Sequence, residues 1–173
     1  MNQWFMLTLV GRDKKGIVAK VSSTIFEAGG NLGETSMIRL GGNFTVMMMI
    51  QSSQDLQQLQ AVISPVAQQL SLRMHLDLID ATLHDYHEPN VDITVYGADK
   101  AGIVARVTSA LADAGLHILD MQTVVAGDKN KPIYIMQIEG EASEGVDALK
   151  AAVDSIGDSD VEVKITAMNT LIG

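Results

Sequence analysis

Apolar and polar residues alternate through FMLTLV (5–10) and again through VDITVYG (91–97), so each segment reads as a strand. Behind each strand the spacing turns helical. GIVAKVSSTIFEAG puts Ile17, Val18, Val21, Ile25 and Ala28 on one face, and GIVARVTSALADAG does the same with Ile103, Val104, Val107, Leu111 and Ala114. Both helices run into a glycine, the residue that most easily ends one. NLGETSMIRL followed by NFTVMMMI predicts a hairpin turning at Gly41-Gly42. The stripe Leu56, Leu59, Val62, Ile63, Val66 and Leu70 predicts a second helix. Pro65 interrupts it, and an interior proline costs ~3 kcal/mol, so a kink or a restart is expected there. A strand over RMHLDLIDATL closes the first half. The second half runs the same way, through a helix near Gly145–Ile156 to a strand over VEVKITAM.

Each half therefore reads β-α-β-β-α-β. That predicts an α+β protein of two ferredoxin-like domains in tandem, each an antiparallel sheet with its helices on one face. The repeat is visible letter by letter. GRDKKGIVAKV from Gly11 returns as GADKAGIVARV from Gly97, which aligns Asp13 with Asp99, Lys14 with Lys100 and Gly16 with Gly102 at an offset of 86. The same offset carries Ala28-Gly29 onto Ala114-Gly115 and Gly41 onto Gly127. Beyond Gly127 the second copy has a longer loop, GDKNKP, after which VMMMI from Val46 answers to YIMQI from Tyr134. The domains are expected at 1–86 and 87–173. They join near HDYHEPN, a polar stretch broken by Pro89.

Charge separates the halves that the pattern equates. Residues 1–86 carry 6 basic and 7 acidic side chains, a net of −1, whereas residues 87–173 carry 6 and 14, a net of −8. An acidic chain lacks the basic footprint that neutralises phosphates, so direct nucleic-acid binding is not expected. The acidic half reads as a solvated surface or as a face for a basic protein partner. With no cysteine there is no disulfide framework and no thiolate chemistry. No apolar run approaches the ~20 residues of a membrane span, and MNQWFMLTLV lacks the basic flank of a signal peptide. A cytoplasmic protein is the expectation.

Candidate chemistry concentrates in the repeated phrase. Asp13 and Asp99 can cap the helices that follow, and turn-and-cap duty would account for the aspartates and glycines without a ligand. A helix start also presents free N–H groups and a partial positive charge, which suit a carboxylate, and neither Gly16 nor Gly102 has a side chain to obstruct it. Elsewhere the candidates are thin. His84, Asp85, His87 and Glu88 fall in the linker without a further ligand cluster, so no metal is expected. Met47, Met48 and Met49 fall on a strand and alternate faces, which reads as core packing rather than soft-metal binding. Ser22 and Ser23 lie in a helix without a paired base.

The run GRDKKGIVAKVSSTIFEAGGNLGETSMIRLGGNFTVMMMI, like its second copy, resembles the ACT domain, a small-molecule-sensing module. The shared pattern is a strand, Asp-x-x-Gly-[Ile/Leu]-[Val/Leu], a helix, Ala-Gly-x-[Asn/His]-[Ile/Leu] and a strand. Among tandem ACT proteins the chain is most similar to the glycine cleavage system transcriptional repressor group. It departs from the frequent proline before the loop glycine, having Lys15 and Ala101. The resemblance implies amino-acid binding at interfaces between ACT domains, where one domain lends the loop and its partner the start of its second strand. Residue by residue, the loops are Asp13, Gly16, Ile17 and Val18, and Asp99, Lys100, Gly102, Ile103 and Val104. The strand starts are Asn31-Leu32 and His117-Ile118. From the residues alone, His117 reads somewhat better as a satisfied histidine at the edge of the core than as a ligand contact. The resemblance further implies a non-enzymatic, homo-oligomeric regulator with no cofactor. Its ligand would be a small amino acid, glycine favoured, and its protein partner a transcription factor. An assembly module of a metabolic enzyme, or a small enzyme on the same fold, are the other readings.

Overall fold

A computed structural model describes residues 2–80, 88–98, 102–128, 131–156 and 161–168. The chain divides into two compact units, Met1–Leu83 and His84–Gly173. The join expected at 86/87 lies outside the described residues, as do His84, Asp85, His87, Asp99 and Lys100.

Unit 1 runs β1 (Gln3–Arg12), α1 (Ile17–Glu27), β2 (Asn31–Leu40), β3 (Asn43–Ser52), α2 (Leu56–Gln69) and β4 (Arg73–Ile79). Its strands form one antiparallel sheet in the order β2-β3-β1-β4. The alternation read from the sequence is the burial pattern. Phe5, Leu7 and Leu9 of β1 and Phe44, Val46, Met48 and Ile50 of β3 are buried, together with Ile17, Val21 and Ile25 of α1 and Leu59, Ile63 and Ala67 of α2. The intervening residues of β1 and β3, Trp4, Met6, Thr8, Met47 and Met49 among them, occupy the opposite face and are half-buried or exposed. Of the three consecutive methionines, then, only Met48 packs in the core. Trp4 lies across that outer face: a Cβ on Gly33 would come within 2.9 Å of its ring.

Unit 2 repeats the scheme with β5 (Val91–Ala98), α3 (Ile103–Asp113), β6 (Leu116–Asp128), β7 (Lys131–Ala142), α4 (Val146–Asp154) and β8 (Val161–Ala167), in the sheet order β6-β7-β5-β8. Its core is Val91, Ile93 and Val95 with Ile103, Val107, Leu111, Met136, Ile138 and Leu149. The two copies share even a β-bulge in the edge strand, between Leu32 and Thr35 in β2 and between Ile118 and Asp120 in β6. They differ at the hairpin. Gly41 and Gly42, at φ 57° and 76°, make the tight turn after the pair Leu40–Asn43. In unit 2 the ladder continues past Ala126–Ile133 through Gly127–Pro132 and Asp128–Lys131. The extra residues expected as a longer loop instead lengthen the strands. They also shift the β3 correspondence, because Gly11 pairs with Phe44 and Gly97 with Tyr134. Tyr134 therefore answers to Phe44 rather than to Val46.

Helix ends show local chemistry at work. α2 opens with a capping box, Asp55 Oδ1 accepting from the Gln58 N–H at 2.8 Å while Gln58 Oε1 accepts from the Asp55 N–H at 3.1 Å. It then runs unbroken through Pro65. The expected restart does not occur, because the turns on either side bury Ile63 and Ala67 in the core. At its end the Ser71 N–H donates to Gln68 and the Leu72 N–H to Ala67, a Schellman closure with Ser71 at φ 58°. An L-residue in that conformation is strained by about 1–2 kcal/mol, and glycine returns part of the relief by loosening the unfolded chain. Ser71→Gly is expected to stabilise the protein by about 0.5–1 kcal/mol, raising the melting temperature by about 1–4 °C. A lower melting temperature would show that the serine contributes more than its backbone.

Candidate functional site

The loop after β1 is held from below and from the side. The Asp13 N–H donates to the Gly42 carbonyl at 3.4 Å, and Asp13 Oδ2 pairs with Arg39 Nε at 3.0 Å. Lys14 Nζ donates to the Leu70 carbonyl at 3.4 Å, at the negative end of α2, and Lys20 Nζ donates to Gln69 Oε1 at 3.0 Å. Asp13 is therefore not the cap that its position suggests. Its carboxylate is turned to the β2–β3 hairpin. Arg39 is the residue that sequence reading missed, since nothing in local spacing links a strand end to a loop before the preceding helix.

With the aspartate engaged elsewhere, α1 begins uncapped. Its N-cap is Gly16 at φ 85°, ψ 3°, with no side-chain hydrogen bond. α3 begins identically at Gly102, φ 86°, ψ 0°. A Cβ at either glycine would meet nothing within 4 Å, so a side chain there would begin in open space. The first amides of a helix have no intrahelical acceptor. The side chains of Ile17 and Ile103 point into the cores, so these residues can offer a ligand only backbone. Val18 is partly exposed, and Val104 packs against the second core. α4 also starts at a glycine, Gly145, but at ψ 169° and with Asp147 in its first turn, which makes it a poor host for an anion.

The strand starts are not beside these loops within a unit. β1 ends at Arg12 next to Asn43, α1 carries the chain back, and β2 begins at Asn31 opposite Gln51, at the far end of the same sheet. β6 likewise begins far from Gly102, with His117 opposite Glu141. Asn31 and His117 are exposed, while Leu32 and Ile118 pack partly against their cores. His117 is thus a surface residue and not an edge-of-core one. β2 and β6 are edge strands. An antiparallel neighbour along such an edge would bring its own strand start to the loop end. Among the described residues no group of carboxylates and histidines is placed to hold a metal ion, and no helix is long and apolar enough to cross a membrane.

A βαββαβ unit with an uncapped helix start after its first strand, present twice, defines a tandem ferredoxin-like architecture. Residues 3–77 and 91–163 each match the ACT domain, and the chain belongs to the ACT domain family. Among its relatives, the UPF0237 protein YjhC of Lactococcus lactis is 36% identical over 72 residues, 41% of this chain and 83% of the relative. The UPF0237 protein MMP0657 of Methanococcus maripaludis is 36% identical over 80 residues, 46% of this chain and 87% of the relative. Two solved structures follow the whole architecture. A protein of unknown function from Galdieria sulphuraria superimposes with a TM-score of 0.77 at 20% identity, covering 98% of this chain and 100% of that one. A protein provisionally named a glycine cleavage system transcriptional repressor gives 0.73 at 20% identity, covering 98% and 99%. At that identity the likeness is one of fold.

Proposed function

We propose that the protein is a non-enzymatic, cytoplasmic amino-acid sensor, its domains at 1–86 and 87–173. The observation that carries this reading is the pair of uncapped helix starts at Gly16 and Gly102, alike in backbone conformation, each with open space where a side chain would begin. A ligand carboxylate would rest on the amides of Gly16–Val18 or Gly102–Val104. Its ammonium would be received by carbonyls and the Asn31 side chain, or by His117 and neighbouring carbonyls, at the strand start of an adjoining domain. We take the adjoining domain to come from a second copy, so that the sensor is a homo-oligomer. The family and the fold shared with the provisionally named repressor support glycine as ligand and a transcription factor as the partner, held by protein contact without direct binding to DNA.

Glycine sets its own ceiling. Five heavy atoms at about 1.5 kcal/mol each give about 7.5 kcal/mol, or low-micromolar affinity. At ~100 times the dissociation constant, binding adds about 2.7 kcal/mol, and the melting temperature is expected to rise by about 5–11 °C. A methyl group discriminates by only about 1–3 kcal/mol, so serine and alanine should give smaller shifts, and glycolate, without the ammonium, none. A response to a large apolar amino acid alone would replace the ligand; no response to any amino acid would leave an assembly module.

A further inference from the structure

The two units differ most where they are charged. All six basic residues of residues 1–86 are Arg12, Lys14, Lys15, Lys20, Arg39 and Arg73. The topology gathers them at one end of unit 1: the end of β1, the loop after it, the first turn of α1, the end of β2 and the start of β4. Glu27, Asp55 and Asp80 sit at the opposite end, at the end of α1, the N-cap of α2 and just beyond β4. The internal repeat supplies a control. Lys14 and Lys20 have basic counterparts in Lys100 and Arg106. Arg12, Lys15 and Arg39 correspond to Ala98, Ala101 and Val125, and Arg73, opposite Val10, corresponds to Glu162, opposite Tyr96. Cations needed by a binding loop common to both halves would recur in both. These do not. Arg12, Lys15 and Arg73 are also exposed, and no ion pair joins them to a carboxylate among the described residues.

Unit 2 carries the complement. On the sheet face opposite its core, Asp92 of β5 stands directly across from Glu139 of β7, and Glu139 directly across from Asp120 of β6. Like charges directly opposite in a sheet repel, and no ion pair from the described residues relieves these three. The matching positions in unit 1 are Met6, Met49 and Glu34, so one of the three carboxylates recurs and the row as a whole does not. Strands are about 4.8 Å apart, so the row spans about 10 Å, while Arg12 and Arg73 stand on neighbouring strands and Arg39, held by Asp13, two strands beyond Arg12.

We propose that the cationic end of unit 1 docks on the carboxylate row of unit 2 in a second copy of this chain. Each half lacks the charges the other supplies, so two copies related by a two-fold axis would make the contact twice. A nucleic acid is the poorer occupant, because a net charge of −9 opposes a polyanion. The contact is independent of amino-acid binding, and stands or falls separately from it.

The test is sedimentation velocity on the full chain as ionic strength rises from about 0.01 M to about 1 M, where the Debye length shrinks from about 30 Å to about 3 Å. In buffer free of amino acids, so that the ligand-dependent edge contact is not engaged, the expected species is a dimer of the 18.5 kDa chain at low salt, passing to monomer at high salt. Arg12→Glu with Arg73→Glu, and separately Asp120→Lys with Glu139→Lys, should each weaken the dimer at least about tenfold. An equimolar mixture of the two variants should restore it, since each altered surface then meets its altered complement. The restoration also guards against a variant that has merely misfolded. A monomer at low salt, a dimer indifferent to salt and to both reversals, or a mixture that fails to recover would overturn the proposal. So would duplex DNA retained at low salt by the wild type and lost by Arg12→Glu with Arg73→Glu, which would hand these cations to a nucleic acid.

Discussion

Gly16→Val and Gly102→Val, made singly, are expected to abolish amino-acid binding at the altered loop. Both glycines sit at φ near 85° with open space where a side chain would begin. The obstacle is thus not a clash inside the fold. It is the left-handed backbone, which costs an L-residue about 1–2 kcal/mol and suits a β-branched one worst. Valine must either bear that strain or rotate the helix start, and rotation turns away the amides that would meet the carboxylate. If the backbone holds, the branched side chain occupies the ligand's place. Calorimetry should show no heat at the altered loop, with a loss in melting temperature of about 2–8 °C from the strain alone. Gly16→Ala separates the two effects, since it carries the same kind of strain with less obstruction. Unchanged affinity in both valine variants would remove these loops from the site.

Gly140→Val is expected to be the most damaging substitution for stability. The residue is buried in β7, which pairs with β5 on one side and β6 on the other. A Cβ there would lie 2.5 Å from the His117 carbonyl oxygen and 2.9 Å from Leu116 Cδ1. A leucine methyl can yield. A backbone oxygen cannot yield without opening the β6–β7 ladder where Ile118 faces Gly140. Unit 1 has Ile50 at the matching position, opposite Leu32, so the crowding is particular to the second copy. Overpacking of this kind costs about 2–3 kcal/mol, and a unit of this size should melt about 8–24 °C lower. Scanning calorimetry would show which transition moves. A shift under one degree would mean that β6 relaxes freely there, and that the start of β6 is too pliant to hold a ligand.

How far the sequence reveals this structure depends on how local each cause is. The strands at Phe5–Leu9 and Val91–Val95 were legible because burial follows the alternation residue by residue, and the sheet order follows from a repeated βαββαβ pattern. The turn at Gly41-Gly42 announces itself by composition. Asp13 misleads because a cap and an ion pair draw on the same carboxylate, and only the fold shows that Arg39 is within reach. Pro65 misleads because its cost is local whereas the packing of Ile63 and Ala67 is not. The lengthened β6–β7 hairpin read as a loop because Gly127 and Pro132 are turn formers by habit. Here they face each other within the ladder, Gly127 at φ 88°. The site divides the same way. The open helix starts could be read from glycines in a repeated phrase, but the wide separation of Gly16 from Asn31 within one unit could not.

The bulge that β2 and β6 share has a consequence for growth. An edge strand as exposed as β2, with Met37, Ile38 and Leu40 near its end, is a template on which identical chains could stack without limit. One extra residue between Leu32 and Thr35 sharpens the local twist and leaves a residue unpaired. An incoming strand can match the edge on one side of that irregularity but must bend to follow it across. Recurrence at Ile118–Asp120 places the same interruption on the other copy. A fibril needs a flat, uninterrupted rim; the β2 and β6 edges are each broken into short stretches, able to accept a partner of finite length and unsuited to propagating a third.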